Sequence, residues 1–552
     1  MSNREPHNTE TLQKRFPKVY REFFAKCQRV ASAPNSFLWT GEFSGFYEGG
    51  LMISQKLPFR VYVGLEKAGH GQTKIDKEYT TFEAEENRFV KKVLDPQLAD
   101  QFEAFLGSAD KDVKHISGLN VHILTEAPLG HGLGSNGTLA AALAILISKE
   151  NSLKKRFLLA RKILAASQRG YSSGVSAYNA LVDADQPIVF FSCGGKFVSY
   201  PISEIIGVKK LESWPIDFGL IYSGTQTNSA NVVIATEHTL SELNEEGENV
   251  NKLLKDYSHP PFKETYLNML NMTSSLMVSG FAKIFKKGLN DSALEDFFDT
   301  LNQYQNLLHI LDLSTKTSDV IYRHIHELAN KEINGSGSGV KISGLGKGGV
   351  MLFAMPYGSH RKNLVALVDN LRCDFNNNIW LDYASWLDGV GKDAGRIEQD
   401  TADGTASVFL DKDVVDLTIF DHGQQLDQVA AIENYKNIVA NIDIVLDKTT
   451  GKILIAGKSL TSKDLPSQKA TVLIISELLE ADGFSLSNDA IKASYGTNRY
   501  DLHSKIMLPL CRQVKKISKK DLQLSITGGM YDNYQLKLDP SNISVAVITK
   551  KR

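Results

Sequence analysis

The stretch that most constrains this chain is Pro128-Leu129-Gly130-His131-Gly132-Leu133-Gly134-Ser135-Asn136-Gly137. Before it, VHILTEAP (121–128) alternates as a strand does; after it, TLAAALAILISKE has the alanine and leucine content of a helix. Glycines in such a turn let backbone N–H groups approach a ligand with no Cβ in the way. The first turn of the helix adds unsatisfied N–H donors and the positive end of its dipole. Together these suit phosphate. The spacing is not G-x-x-x-x-G-K-S/T, and no acidic residue sits suitably downstream for a dinucleotide fingerprint. A tight strand-to-helix turn without a ligand is the competing reading.

The chain has 552 residues, enough for two to four domains. At 42% hydrophobic and 23% charged residues, it can bury a large core. A net charge of −1 gives the molecule as a whole no affinity for nucleic acid or an acidic membrane. Cys27, Cys193, Cys373 and Cys511 are far apart, without metal-ligand spacing, and read as reduced thiols of a cytoplasmic protein. The opening MSNREPHNTETLQKRF is too polar for a signal peptide, and no apolar run reaches the roughly 18 residues of a membrane span.

Residues 1–30 read as a polar N-terminal extension ending in one amphipathic helix, and 33–66 as strand, turn, strand. The stretch 265–330 is mostly helical in pattern, and VKISGLGKGGVMLFAM (340–355) reads as strand, glycine turn, strand. The polar, aperiodic IEQDTADGTAS near residue 400 marks a boundary. Beyond it come a hairpin around Thr450-Gly451, a helix over 467–481, a short helix over 487–494, a longer helix over about 500–516 that Pro509 would kink, and a hairpin over 522–537.

Three further segments accompany the glycine stretch. They are Ala33-Pro34-Asn35-Ser36-Phe37-Leu38-Trp39-Thr40-Gly41-Glu42, Arg169-Gly170-Tyr171-Ser172-Ser173-Gly174-Val175-Ser176, and Lys341-Ile342-Ser343-Gly344-Leu345-Gly346-Lys347-Gly348-Gly349. In this order the four resemble the motifs of the galactokinase, homoserine kinase, mevalonate kinase and phosphomevalonate kinase (GHMP) superfamily, which read A-P-G-K-V-I-L-F-G-E, P-x-G-A-G-L-G-S-S-A-A, H-G-x-P-S-G-V-D and K-x-S/T-G-A-G-G-G-G. Mevalonate kinase is the most similar in wording. The resemblance covers roughly residues 30 to 400. It implies an α/β (α+β) fold of two lobes, 31–200 and 201–405, with nucleotide and substrate in the cleft between them. The resemblance puts ATP phosphates on Pro128, Gly130, Gly132, Leu133, Gly134, Ser135, Asn136 and Gly137. Gly344, Gly346, Lys347 and Gly348 would close the far side.

The departures bear on activity. In active members, a lysine of the first motif and an aspartate of the S-G-V-D motif assist the substrate hydroxyl; here those positions are Ser36 and Ser176. A glutamate eleven residues before that aspartate and the second serine of the glycine loop hold magnesium; here they are Ala165 and Asn136. Asn136 alone is left to offer Mg2+ an oxygen. Asp183, Asp185, Lys196 and Lys347 are the substitutes nearest in sequence, although a Val-Asp-Ala-Asp loop also reads as a solvated turn.

After a linker over 406–441, the order of elements in 442–552 resembles the winged helix-turn-helix domain of response regulators, in which the long helix enters the DNA major groove. Residues 491–520 hold Lys492, Arg499, Lys505, Arg512, Lys515, Lys516, Lys519 and Lys520 against one acid, Asp501. Lys505, Arg512, Lys515 and Lys516 are the expected contacts to duplex DNA; a solvated face on a protein-interaction module is the plainer reading. Two function classes follow. One is a cytoplasmic, ligand-responsive regulator that binds ATP or a small metabolite on a kinase-like scaffold without its catalytic groups. The other is a working ATP-dependent small-molecule kinase with an accessory domain. Either is compatible with an oligomer.

Overall fold

The computed structural model describes residues 8–551 apart from 68–72, 84–86, 107–117, 168–172, 194–195, 210, 212–213, 215, 224, 226–228, 254–260, 287–289, 333–336, 345, 357–379, 384–393, 401–413, 422–423, 432–441, 482–483, 488, 492–500 and 529–533. The architecture is mixed α/β. The chain divides into two compact units, one of residues 1–11 and 23–407, the other of residues 12–22 and 408–552. The N-terminal segment, expected to hold one helix, holds α1 (Thr9–Arg15) and α2 (Pro17–Lys26), interrupted at Phe16 just before Pro17.

The first unit is organised by two long antiparallel strands, β1 (Arg29–Thr40) and β2 (Leu51–Lys67). They belong to a nine-stranded sheet with β3 (Lys74–Ile75), β4 (Glu78–Glu83), β5 (Arg88–Val93), β6 (Leu119–Thr125), β7 (Ile188–Cys193), β8 (Lys196–Pro201) and a late strand, Arg396–Asp400, that pairs with β1. Helices α3 (Pro96–Leu106), α4 (Ser135–Ile147), α5 (Leu153–Ser167) and α6 (Val175–Leu181) accompany this sheet. Alternate residues along β1 and β2 feed two cores in turn. Ala31, Ala33, Val61, Val63 and Leu65 pack with α4, while Phe37, Trp39, Leu57 and Phe59 pack into the other core. Every residue of α4 except Asn136 is buried. That explains why its apolar residues show no one-sided pattern.

The other core surrounds a four-stranded antiparallel sheet: β9 (Ile216–Tyr222), β10 (Gly339–Ser343), β11 (Val350–Pro356) and β12 (Trp380–Tyr383). The short α7 (Ile202–Ile206) precedes it, and α8 (Ser229–Leu253), α9 (Phe262–Lys286), α10 (Asp291–Ile310) and α11 (Lys316–Glu332) fill the span between β9 and β10. Trp39 is the anchor. It is fully buried, stacks on Trp214 at 5.6 Å, meets Phe218, Phe281 and Phe297 edge-on, and donates from Nε1 to Gln55 Oε1 at 2.7 Å.

With Arg396–Asp400 numbered β13, the second unit contains a six-stranded sheet ordered Gln424–Ala431 (β15), Val414–Asp421 (β14), Ser544–Lys551 (β22), Ile444–Asp447 (β16), Lys452–Ile455 (β17) and Lys458–Ser459 (β18). A three-stranded sheet joins Ser485–Ser487 (β19), Tyr534–Asp539 (β21) and Gln523–Gly528 (β20). The stretch expected as a linker over 406–441 therefore carries two strands. At the edge, β15 is polar enough to hide its alternation, whereas β14, paired on both sides, buries Leu417 and Ile419. The start of the helix expected over 487–494 is a strand, although Ser487 Oγ does accept from Ala490 N at 3.3 Å. Helix α12 (Gln468–Glu480) is followed later by a π-helical turn, Leu502–Met507, running into α13 (Leu508–Ser518). Pro509 sits in the first turn of α13, just after the wider turn. A proline has no N–H to give an i→i−4 bond, and a π turn upstream accommodates that loss inside one helix.

Candidate functional site

The site begins at two prolines. Pro34 on β1 and Pro58 on β2 cannot donate to the ladder, and the register slips between Pro34 and Ser36: Pro34 opposes Arg60, whereas Ser36 opposes Lys56. The slip turns the Asn35 amide and the Ser36 N–H toward the carbonyl of Leu133, each at 3.2 Å. In this way the bulge on β1 holds the glycine loop and aims Ser36 at it.

The loop enters α4 through Gly134, whose φ of +65° lies in the left-handed region. No side chain caps this helix end. A Cβ at Gly134 would stand 2.7 Å from Ser176 Oγ, 2.9 Å from Ser36 Oγ and 2.9 Å from Ser176 Cβ. Only glycine leaves both hydroxyls facing the helix terminus. The third glycine segment closes on the loop backbone to backbone. A Cβ at Gly132 would meet Ser343 O at 2.2 Å, and one at Gly344 would meet Gly132 Cα at 2.7 Å. Ser343 Oγ donates to Gly132 O at 3.0 Å.

These segments line a solvent-open cleft. Gly130, Gly132, Gly134, Ser135, Asn136, Gly137, Gly344, Ser36 and Ser176 all border it. Other expected positions do not. Leu133 is a fully buried core residue, and Pro128, Gly346 and Gly348 are not on the cleft wall. Lys347 adopts φ +58° and places its ammonium on the Asp312 carboxylate, so it is no cleft cation. Ala165 falls on the exposed side of α5, and its neighbour Leu164 reaches the cleft instead; one residue on a helix turns the side chain by about 100°. Neither supplies an oxygen. Asp183 and Asp185 are exposed beyond the end of α6, roughly 10 Å of helix from Ser176. Arg169, Gly170, Tyr171, Ser172, Leu345, Cys373, Lys492 and Arg499 lie outside the described residues.

The resemblance quoted Glu42 and Lys341 without giving them a task. The structure makes them one fully buried ion pair, with Lys341 Nζ 2.5 Å from Glu42 Oε1 and both side chains at 0% exposure. Lys341 also donates to Leu38 O and Ile342 O. Gly41 N donates to the Tyr304 hydroxyl, which donates to Glu42 O. Burial raises the Glu42 carboxyl and lowers the Lys341 ammonium, each opposed by the partner's charge. Among the described residues lining the cleft, Glu42 is the single ionisable group. Burial also lowers His131, whose Nδ1 donates to Leu129 O at 3.0 Å, so the loop histidine is neutral at pH 7.

Two ligands can be tested against these residues. Phosphate fits: the glycine loop, an uncapped helix end and two hydroxyls converge. Magnesium does not. It prefers six oxygens in octahedral geometry, usually with a carboxylate or two. The cleft's carboxylate is held by Lys341, Asn136 offers only a neutral amide oxygen, and among the described residues no group of three or more His, Cys, Asp or Glu is arranged to hold a metal ion.

In the second unit, α13 presents Arg512, Lys515 and Lys516 on exposed positions, and Lys505 is exposed on the π turn before it. Two of these four have acidic partners: Lys505 lies 2.9 Å from Asp501, and Lys515 lies 2.9 Å from Asp521. Among the described residues no helix is long and apolar enough to cross a membrane.

No protein-family model matches the chain, and no curated protein does. Solved structures do. One is the L. major mevalonate kinase in complex with R-mevalonate: 14% identity, 65% of this chain and 96% of that one, TM-score 0.43. The Lactococcus lactis galactokinase complexed with galactose matches at 13% identity over 67% and 96%, TM-score 0.43. The Streptococcus pneumoniae phosphomevalonate kinase in complex with phosphomevalonate and AMPPNP matches at 14% over 64% and 99%, TM-score 0.39. At these identities and scores, the functional reading rests on the chain's own residues.

Proposed function

We propose that the cleft bordered by the glycine loop, Gly344, Ser36 and Ser176 binds ATP or a related nucleotide, and that the chain is a ligand-responsive regulator with little or no kinase activity. One observation carries this reading. The glycine loop and the uncapped start of α4 border the cleft, yet the groups flanking Gly134 are two neutral hydroxyls, Ser36 and Ser176. Phosphoryl transfer depends on positioning and on cations and metal that stabilise developing charge. Each missing group of that kind typically costs several kcal/mol of barrier. Turnover of ATP with a panel of small alcohols, mevalonate and galactose included, is therefore expected to stay far below ~1 per second, the low end for ordinary kinases. A rate at or above that level would give the site to the enzyme reading.

A regulator needs an output, and we assign it to the second unit. The support is a basic helix, α13, followed by a hairpin of β20 and β21 that suits a wing. Phosphate contacts by Lys505, Arg512, Lys515 and Lys516 would give a log–log salt slope of about −3 to −4. Titrating the full chain with mixed-sequence duplex DNA at low salt measures it. Replacing Arg512, Lys515 and Lys516 by alanine should weaken binding and flatten the slope. No binding at about 100 μM, within the ordinary non-specific range, would leave this helix as a protein-interaction surface. In a regulator, ligand in the cleft and DNA must shift each other's affinity by one common factor.

A further inference from the structure

A GHMP-like site implies magnesium, and this cleft does not suit it. We propose that the cleft takes its nucleoside phosphate free of any divalent cation, with the Ser36 and Ser176 hydroxyls donating to phosphoryl oxygens that a metal would otherwise neutralise. The proposal rests on the reading that residues 130–137 hold a nucleotide.

Three observations carry it. Ser36 is only 2% exposed, yet its hydroxyl borders the cleft, and among the described residues neither it nor the Ser176 hydroxyl has a hydrogen-bond partner. A hydroxyl turned into a cleft without a partner is a donor awaiting an acceptor. Second, both hydroxyls face Gly134 at the uncapped start of α4, so a phosphoryl oxygen at that helix end would meet donors from two sides. Third, a magnesium–nucleotide complex would have to exchange tightly held waters for an amide and serine oxygens, with Glu42 already bound to Lys341. Among the described residues lining the cleft, the compensation offered to a metal-free anion comes from the helix end, the loop amides and two neutral hydroxyls. Each added phosphate brings charge that these do not offset, so ADP should be favoured over ATP.

Calorimetric titrations of the full chain with ADP and with ATP test this, each in EDTA and in excess Mg2+. ADP should bind in EDTA, and Mg2+ should leave its apparent affinity unchanged or weaken it by complexing the free nucleotide. Ser36→Ala with Ser176→Ala should weaken binding in EDTA roughly 10- to 100-fold, as expected for losing two hydrogen bonds to a charged acceptor. Ser176→Thr, which keeps a hydroxyl, should retain most of the affinity. Ser176→Asp should lose binding in EDTA and recover it in Mg2+. Thermal unfolding of each variant without nucleotide separates loss of a contact from loss of the fold. If Mg2+ tightens ADP tenfold or more in the wild type, or the double alanine variant binds as the wild type does, the proposal falls while nucleotide binding stands. If neither nucleotide binds in either condition, the nucleotide reading itself falls.

Discussion

Gly134→Val and Ser135→Glu are both expected to lose at least ~100-fold in nucleotide affinity, about 2.7 kcal/mol, and by different routes. At Gly134 a side chain would reach Ser176 and Ser36 before it met any phosphate. The left-handed φ of +65° adds about 1–2 kcal/mol for a residue with a Cβ, and more when it is branched. This variant should therefore close the cleft and also unfold more readily. Ser135→Glu separates the two effects. A carboxylate in the first turn suits the helix dipole, and it would occupy the place of the phosphate with its own charge. The substitution does forfeit the bond from Gly130 N to Ser135 Oγ at 3.2 Å. Titration of ATP beside thermal unfolding distinguishes the routes: stability falls clearly in the first variant and little in the second, while binding disappears in both. Wild-type affinity in Ser135→Glu would mean that the helix end is not where phosphate sits.

The other large effect belongs to Lys341. Replacing it by methionine leaves the Glu42 carboxyl fully buried without its cation, and breaking such a pair typically costs about 3–5 kcal/mol. Because burial already raises this carboxyl, the variant should relieve part of the cost by taking up a proton. Its deficit should then shrink as pH falls. Adding Glu42→Gln removes the charge and should recover a substantial part of the loss, so the double variant costs less than the two single changes summed. Denaturant unfolding of the four proteins measures this. Strict additivity would show that the pair makes no stabilising contact.

Much of this site was legible because glycine is unforgiving. Gly132 and Gly344 are glycines because nothing larger fits where their backbones touch, and Gly134 because a Cβ there would strike Ser176 and Ser36. Secondary structure in the first unit was equally accessible: α4, β10 and β11 follow from their apolar composition and the glycine turn between the two strands, and nearly all of their residues are buried. What stayed hidden depends on packing across long separations. Glu42 and Lys341 are 299 positions apart, and no local pattern says that two charges will meet with no water between them. Leu133 looked like a loop residue and is core. Lys347 looked like a phosphate ligand, but its backbone turn sends the ammonium to Asp312. In the second unit β15 escaped notice because an edge strand tolerates polar residues on both faces. The π turn before Pro509 has no sequence signature of its own.

The interlock of Gly132 with Ser343 and Gly344 also dictates when the cleft can come into existence during folding. The hydrogen bond from Ser343 Oγ to Gly132 O closes a loop of 211 residues. Contacts of such long range form only after their loop-closure entropy has been overcome, late in the search for the native state. The loop and helix α4 can assemble early from neighbouring sequence and the bulge at Pro34 joins them across 98 residues, yet without the third glycine segment they form half a wall. A growing chain on the ribosome thus carries no finished binding site until residue 344 and those around it have emerged. Any ligand of this cleft consequently acts on the completed fold, not on its intermediates: it slows unfolding of the mature unit and does nothing for a chain still being made.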